Sequence, residues 1–210
     1  MNTFFFDLDG TLVDTEVLWL EAIRLAMAGR GAPIDPPTSE RLVYGKSWAD
    51  IFNEIDQTFP GLWNGITDME PVTEMHFKTL RASREIELPS SVDLLRRLGA
   101  DHTLAIVSGS TNGNIAHHID ELGIAEFVDF YLGCESYSPG KPDPACYLMA
   151  AEKAGVAPDD CCVFEDSLAG VTAAKAAGMY CVALKRPEAP DQDVSAADVV
   201  LTDLADFQMP

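Results

Sequence analysis

From residue 89 onward the chain alternates short apolar runs with helical patterns. That alternation restricts it to a parallel sheet covered by helices. Thr103–Val107, Phe127–Leu132, Cys161–Phe164, Tyr180–Leu184 and Val199–Leu201 read as strands. Helices are expected from Ser90-Ser91 to Gly99, from about Thr111 to Leu122, over Pro144–Ala154 and over Leu168–Ala177. Ser90-Ser91 reads as the cap of the first, and Gly155 and Gly178 stop the last two.

One more buried strand, over residues 3–8, stands apart at the start of the chain. Residues 15–28 have helical spacing, and helical patterns continue through 34–86 with breaks at Pro36-Pro37, Pro60-Gly61 and Pro71. The arrangement predicts an α/β fold, a Rossmann-like parallel-sheet core built from residues 1–14 and 88–210. Residues 15–87 are then an inserted α-helical cap domain, with hinges expected near 14–16 and 85–89. No internal repeat or low-complexity segment interrupts this order.

Ligands of such sheets bind beyond the carboxyl ends of the strands, and those ends carry unusual residues. Asp7-Leu8-Asp9-Gly10-Thr11 closes the first strand. In an extended segment residues two apart project to one side, so Asp7 and Asp9 are expected to point together, with Gly10 allowing a sharp turn. Two carboxylates so close suit a cation or a shared proton, and they can divide the work of nucleophile and acid/base. Ser108-Gly109-Ser110 closes the second core strand and opens a helix, a place where hydroxyls and amides hold an anion. Lys141 stands in a Pro-rich turn before another helix, and Glu165-Asp166-Ser167 ends a further strand.

Taken singly, the serine reads better as a helix cap and the lysine as an exposed loop residue, Glu165-Asp166 reads equally as a solvated turn, and only the Asp7-Asp9 pair favours chemistry. Together, at successive strand ends, they supply the parts of one phosphoryl-transfer site. Asp7 and Asp166 suit a hard cation whose shell is completed by carbonyl and water oxygens. Ser108, the Gly109 amide and Lys141 suit the remaining phosphate oxygens.

The segments Asp7-Leu8-Asp9-Gly10-Thr11-Leu12-Val13-Asp14, Ser108-Gly109-Ser110, Lys141-Pro142 and Glu165-Asp166-Ser167 resemble the four motifs of the haloacid-dehalogenase-like superfamily. The likeness is to the branch of β-phosphoglucomutase and phosphoglycolate phosphatase, in which a small helical cap follows the first motif. The resemblance implies attack on phosphorus by Asp7, an aspartyl-phosphate, and Asp9 as acid and then base. It implies Mg2+ between the Asp7 carboxylate, the Asp9 backbone carbonyl and Asp166, with Glu165 as a further or outer-shell ligand. Lys141 would steady Asp7 and the phosphoryl group, and Ser108 would hold one of its oxygens. Ser110 and Asn112 are candidates for touching the substrate.

The resemblance also separates reactions. Dehalogenases of the family lack an acid at the position of Asp9, which favours phosphate chemistry. Where the mutase carries a Lys, an Arg and a His, this chain has Thr111, Trp48 and Trp19, which favours hydrolysis of a small phosphorylated metabolite. A silent metal- or ligand-binding protein is the reading from another class, and the full set of reactive residues speaks against it. Lys46 is a candidate charge from the cap. Gly45-Lys46-Ser47 is not a nucleotide loop, because Glu40 replaces its first Gly. His117 and His118 are adjacent on a helix and share no metal face. Trp19, Trp48 and Trp63 are expected mainly to pack the cap.

Composition adds exclusions. A net charge of −20 repels nucleic acid and anionic membranes. No apolar run spans a bilayer and no signal peptide opens the chain, so a cytoplasmic monomer is expected. Five Cys, two of them adjacent, fit free thiols rather than a disulfide framework or a zinc site.

Overall fold

The computed structural model describes residues 1–43 and 48–209. The chain divides into two compact units, Met1–Asp14 with Glu87–Pro210, and Thr15–Ile86.

The first unit is a six-stranded parallel sheet. Its strands are β1 (Thr3–Phe6), β2 (Thr103–Val107), β3 (Phe130–Leu132), β4 (Cys161–Glu165), β5 (Tyr180–Leu184) and β6 (Val199–Leu201), in the order β3-β2-β1-β4-β5-β6. Its helices, numbered along the whole chain, are α5 (Pro89–Gly99), α6 (Asn112–Glu121), α7 (Ala145–Ala154) and α8 (Leu168–Ala176). This is the α/β fold that the alternation predicts.

The central strands are apolar without alternation because helices cover both faces. Phe4, Phe5 and Phe6 are fully buried, and Phe6 stacks on Phe164 at 4.3 Å between ring centroids. Phe6 pairs with Ile106 on one side and Phe164 on the other. One residue further on, Asp7 comes level with Val107 and Glu165. The strand order reverses around β1, which opens a crevice at these carboxyl ends.

Several boundaries differ from expectation. The third strand begins at Phe130 rather than Phe127, because Ala125–Phe127 forms a 3-10 turn first. Leu88, not Ser90 or Ser91, is the N-cap of α5, and Pro89 fills its first position, where proline's fixed φ and missing N–H cost nothing. Thr111 does cap α6, its hydroxyl accepting from the Asn114 amide at 3.2 Å.

The second unit is helical: α1 (Glu16–Gly29), α2 (Pro36–Val43), α3 (Trp48–Thr58) and α4 (Ile66–Arg81). Pro71 does not break α4 but sits inside it. It lies within two turns of the start, so it forfeits a single backbone bond, to the carbonyl of Thr67. Ile23, Met27, Leu42, Ile55, Trp63 and Met69 form the core. Trp63 packs there under the Arg30 guanidinium at 4.4 Å. Trp19 stacks on Phe77 at 3.9 Å and meets Trp48 edge-on at 5.1 Å. Lys46 and the Gly45-Lys46-Ser47 turn lie outside the described residues. Among the described residues no helix is long and apolar enough to cross a membrane.

The five cysteines are free, and only Cys134 is exposed. Burial pushes the Cys162 thiol up to about 12 and Cys146 up to about 11, which keeps both unreactive.

A polar tie fastens the β5 side of the sheet. Asp198 accepts from the Lys175 ammonium at 2.6 Å and the Cys181 amide at 2.7 Å. Partial burial opposes its charge, but these two donors hold its pKa below the ordinary value. Asp198→Ala leaves the Cys181 N–H unpaired and is expected to cost about 1–3 kcal/mol in a urea titration at pH 7. A depressed carboxylate stabilises above its unfolded pKa and loses that contribution as pH falls through the folded one. The difference between wild type and variant should therefore shrink below about pH 4.

Candidate active site

The loop after β1 is built around one carbonyl. The amides of Thr11, Leu12 and Val13 all donate to the Leu8 oxygen, at 3.3, 2.8 and 3.1 Å, and the Gly10 amide donates to Val13 at 2.7 Å. Gly10 has φ +84°, and a Cβ there would overlap the Asp166 carboxylate. Glycine is thus required twice, by its backbone and by the approach of Asp166. The chain bends at Leu8 instead of continuing as strand. Asp9 still lies close enough for its charge to raise the pKa of Asp7.

Lys141 occupies the centre. Its ammonium donates to Asp7 Oδ1 at 2.6 Å, Glu165 Oε1 at 2.6 Å and the Val107 carbonyl at 3.0 Å. That uses all three of its protons. The Lys141 and Asp7 side chains are each 10% exposed and that of Glu165 is 1% exposed. Burial disfavours the charge on Lys141, but the two carboxylates outweigh it and hold its pKa well above the usual lysine value. Burial, with the charges of Glu165 and Asp9, lifts the Asp7 carboxyl well above its usual value despite Lys141. For Glu165 burial also opposes the charge, yet Lys141, Tyr147 and Ser167 outweigh it and hold the group below its ordinary value. Lys141 lies 2.6 Å from both carboxylates, but Glu165 has four further hydrogen-bond donors besides it.

Glu165 is enclosed by donors. Oε1 also accepts from the Tyr147 hydroxyl at 2.9 Å. Oε2 accepts from the Asp166 amide at 3.1 Å, the Ser167 amide at 3.2 Å and the Ser167 hydroxyl at 3.0 Å. Ser167 caps α8 by accepting from the Gly170 amide. A Cβ at Gly170 would overlap the Glu165 carboxylate, so α8 can approach β4 this closely only through glycine.

Oxygens of Asp7, Glu165 and Asp166 lie within 4.8 Å of one another. These three carboxylates with Lys141 leave two negative charges in excess, which matches one divalent cation. All-oxygen donors and the raised pKa of Asp7 fit a hard ion such as magnesium. Asp166 also faces the Thr11 hydroxyl at 3.5 Å.

Ser108 is buried. Its Oγ accepts from the Ser110 amide at 3.0 Å, and its carbonyl accepts from the Tyr137 hydroxyl at 2.7 Å. Gly109 is exposed, with open space where a side chain would stand. The Ser110 hydroxyl donates to Asp9 Oδ2 at 2.7 Å. Asn112 Oδ1 accepts from the Gly133 amide at 2.8 Å, and the Asn112 backbone N–H donates to Glu135 Oε2 at 2.9 Å.

Sequence reasoning did not single out Tyr137 or Tyr147. Tyr147 is fully buried, and its ring centroid lies 5.1 Å from the Lys141 nitrogen. The signal was available: Tyr147 shares the apolar stripe of α7 with Cys146, Ala150 and Ala151, and a buried tyrosine needs a partner for its hydroxyl.

A sequence profile described as haloacid dehalogenase-like hydrolase matches residues 1–178. The chain belongs to this family. Among haloacid dehalogenase-like relatives, validoxylamine A 7'-phosphate phosphatase of Streptomyces hygroscopicus subsp. limoneus is 27% identical over 206 residues, 98% of this chain and 95% of that protein. Beta-phosphoglucomutase of Bacillus subtilis (strain 168) is 28% identical over 215 residues, covering 100% and 92%. A HAD family hydrolase from Deinococcus radiodurans R1, solved with bound phosphate and sodium, superposes with TM-score 0.77 at 26% identity, covering 98% of this chain and 92% of that one.

Proposed function

We propose that this hydrolase is a magnesium-dependent phosphatase of small phosphomonoesters, of the sugar phosphate or phosphoglycolate type, acting through an aspartyl-phosphate on Asp7. The observation that carries the reading is the Lys141 ammonium clamped between Asp7 and Glu165, beside Asp166 and the Ser108 turn.

Lys141 fixes the Asp7 carboxylate through Oδ1, which orients it for attack on phosphorus. The bond from phosphorus to the alcohol breaks as the bond to Asp7 forms, and Asp9 gives its proton to the departing oxygen. Water then attacks the phosphoryl group and passes its proton back to Asp9, which releases phosphate and restores Asp7. Ser108 and the Gly109 amide hold phosphoryl oxygens during both steps. Asp7, Asp166 and the Asp9 backbone carbonyl would hold magnesium, which neutralises phosphate charge when bound. Glu165, saturated by five donors, serves as the counter-ion that places Lys141 and stands behind the metal ligands.

Residues 15–87 are proposed as the cap that selects the substrate. Thr111, Trp48 and Trp19, in place of the mutase's charged groups, favour hydrolysis over phosphoryl return to the sugar. The test is phosphate release from a panel of small phosphomonoesters, with magnesium and with chelator. Release that requires magnesium is expected. Isomerisation of a sugar phosphate without phosphate release would instead favour the mutase, and binding without turnover the silent protein.

A further inference from the structure

Asp9 and Ser110 stand 101 residues apart in the chain, at the ends of neighbouring strands, and share a 2.7 Å hydrogen bond from the Ser110 hydroxyl to Asp9 Oδ2. Ser110 is itself fixed, because its amide donates to Ser108 Oγ at 3.0 Å. We propose that Ser110 is a positioning residue for the Asp9 carboxyl rather than a ligand of the substrate phosphate. The inference rests on the reading of Asp9 as acid and base.

A serine hydroxyl has one proton to donate. A phosphate dianion demands donors, and the Ser110 proton is already given to Asp9. The bond also suits both halves of the reaction. A carboxylic acid with its proton on Oδ1 still accepts at Oδ2, and a carboxylate accepts there more strongly. The carboxyl plane therefore stays fixed while Asp9 delivers its proton to the alcohol and while it takes one from water. The Ser110 proton is never transferred. Without the hydroxyl, Asp9 Oδ2 loses the bond that Ser110 gives it, and protonation of the departing oxygen loses part of its geometry.

Leaving groups distinguish the two roles. An alkoxide needs a proton to depart, whereas p-nitrophenolate leaves without one. The parameter kcat/KM covers the steps up to release of the alcohol. The experiment measures kcat/KM of wild type, Ser110→Ala, Ser110→Thr and Asp9→Asn on a hexose phosphate and on p-nitrophenyl phosphate. Ser110→Ala is expected to lose about tenfold or more on the hexose phosphate, mainly in kcat, but under about threefold on the aryl ester. Ser110→Thr, which keeps the hydroxyl, should recover most of the loss. Equal losses on both esters, carried by KM, would make Ser110 a phosphate ligand and overturn the inference, as would no loss on either. Asp9→Asn tests the reading underneath separately. If it slows both esters alike, Asp9 is not the acid, whatever Ser110 does.

Discussion

Asp7→Asn is expected to abolish turnover, by at least about 10⁴-fold, because the amide that replaces the carboxylate is no nucleophile. The same variant is expected to be more stable than wild type when chelator removes divalent metal. Burial and the neighbouring charges of Glu165 and Asp9 lift the Asp7 carboxyl well above its ordinary pKa. A carboxyl raised in this way stabilises the fold while protonated, below its unfolded pKa, and loses that contribution as pH rises through the folded value. At neutral pH its ionised form is a cost that the asparagine removes, while Lys141 keeps Glu165 as a partner. The gain should shrink on going from pH 8 to pH 4, and shrink also when magnesium is restored. Thermal unfolding of both proteins across that pH range, with and without metal, reads all of this. A destabilised Asp7→Asn in chelator would contradict the charge balance described for the site. Stability traded for function in this way is common where a fold holds like charges together.

Lys141→Met has the opposite signature, losing both activity and stability. Removing one partner of a buried ion pair leaves an uncompensated charge and costs about 3–5 kcal/mol. Here the abandoned groups are Glu165, 1% exposed, and Asp7. Methionine keeps most of the stem's packing, so the loss reports the charge. Glu165 is depressed and Lys141 raised. The pair therefore stabilises fully above the ordinary glutamate pKa of about 4.3 and below the ordinary lysine pKa of about 10.4. It weakens as pH falls through the folded Glu165 value or rises through that of Lys141. The difference between wild type and Lys141→Met in a urea titration should be largest inside that window. Activity should fall about 10²- to 10³-fold, the scale of losing one charged donor at a reacting centre. A variant as stable as wild type at pH 7 would show that Lys141 is not the counter-ion of this cluster.

Most of the architecture was legible because each strand of the core announces itself as a short apolar run between helices. Asp7, Ser108 and Glu165-Asp166 stood out by lying at the ends of buried strands, and Lys141 by its place in a stiff turn before a helix; singly these read as caps and turns, and only their combination pointed to one site. What the sequence hid was direction. Asn112 Oδ1 accepts from the Gly133 amide, a contact that no spacing in the sequence announces. The bond from the Ser110 hydroxyl to Asp9 was hidden too, because the two residues stand far apart in the chain and meet only in the fold. The i, i+2 rule placed Asp7 and Asp9 together for an incomplete reason, since the chain bends at Leu8 and three amides close on its carbonyl. Tyr147 was passed over because its place in the apolar stripe of α7 says only that its hydroxyl needs a partner, and Glu165 supplies that partner only in the fold. Pro71 misled in the other direction, since a proline near a helix start costs little enough for packing to override it.

The central claim is a covalent phosphoryl group on Asp7, and it can be read directly. The enzyme is mixed with magnesium and a phosphomonoester substrate, quenched in acid within the first turnover, and treated with borohydride, which reduces an acyl phosphate to the alcohol. Peptide mass spectrometry then locates any homoserine. The account predicts homoserine at position 7, absent when substrate or magnesium is omitted and absent in Asp7→Asn. Steady release of phosphate with no modification at Asp7, or with the modification at Asp9 or Asp166, would contradict it.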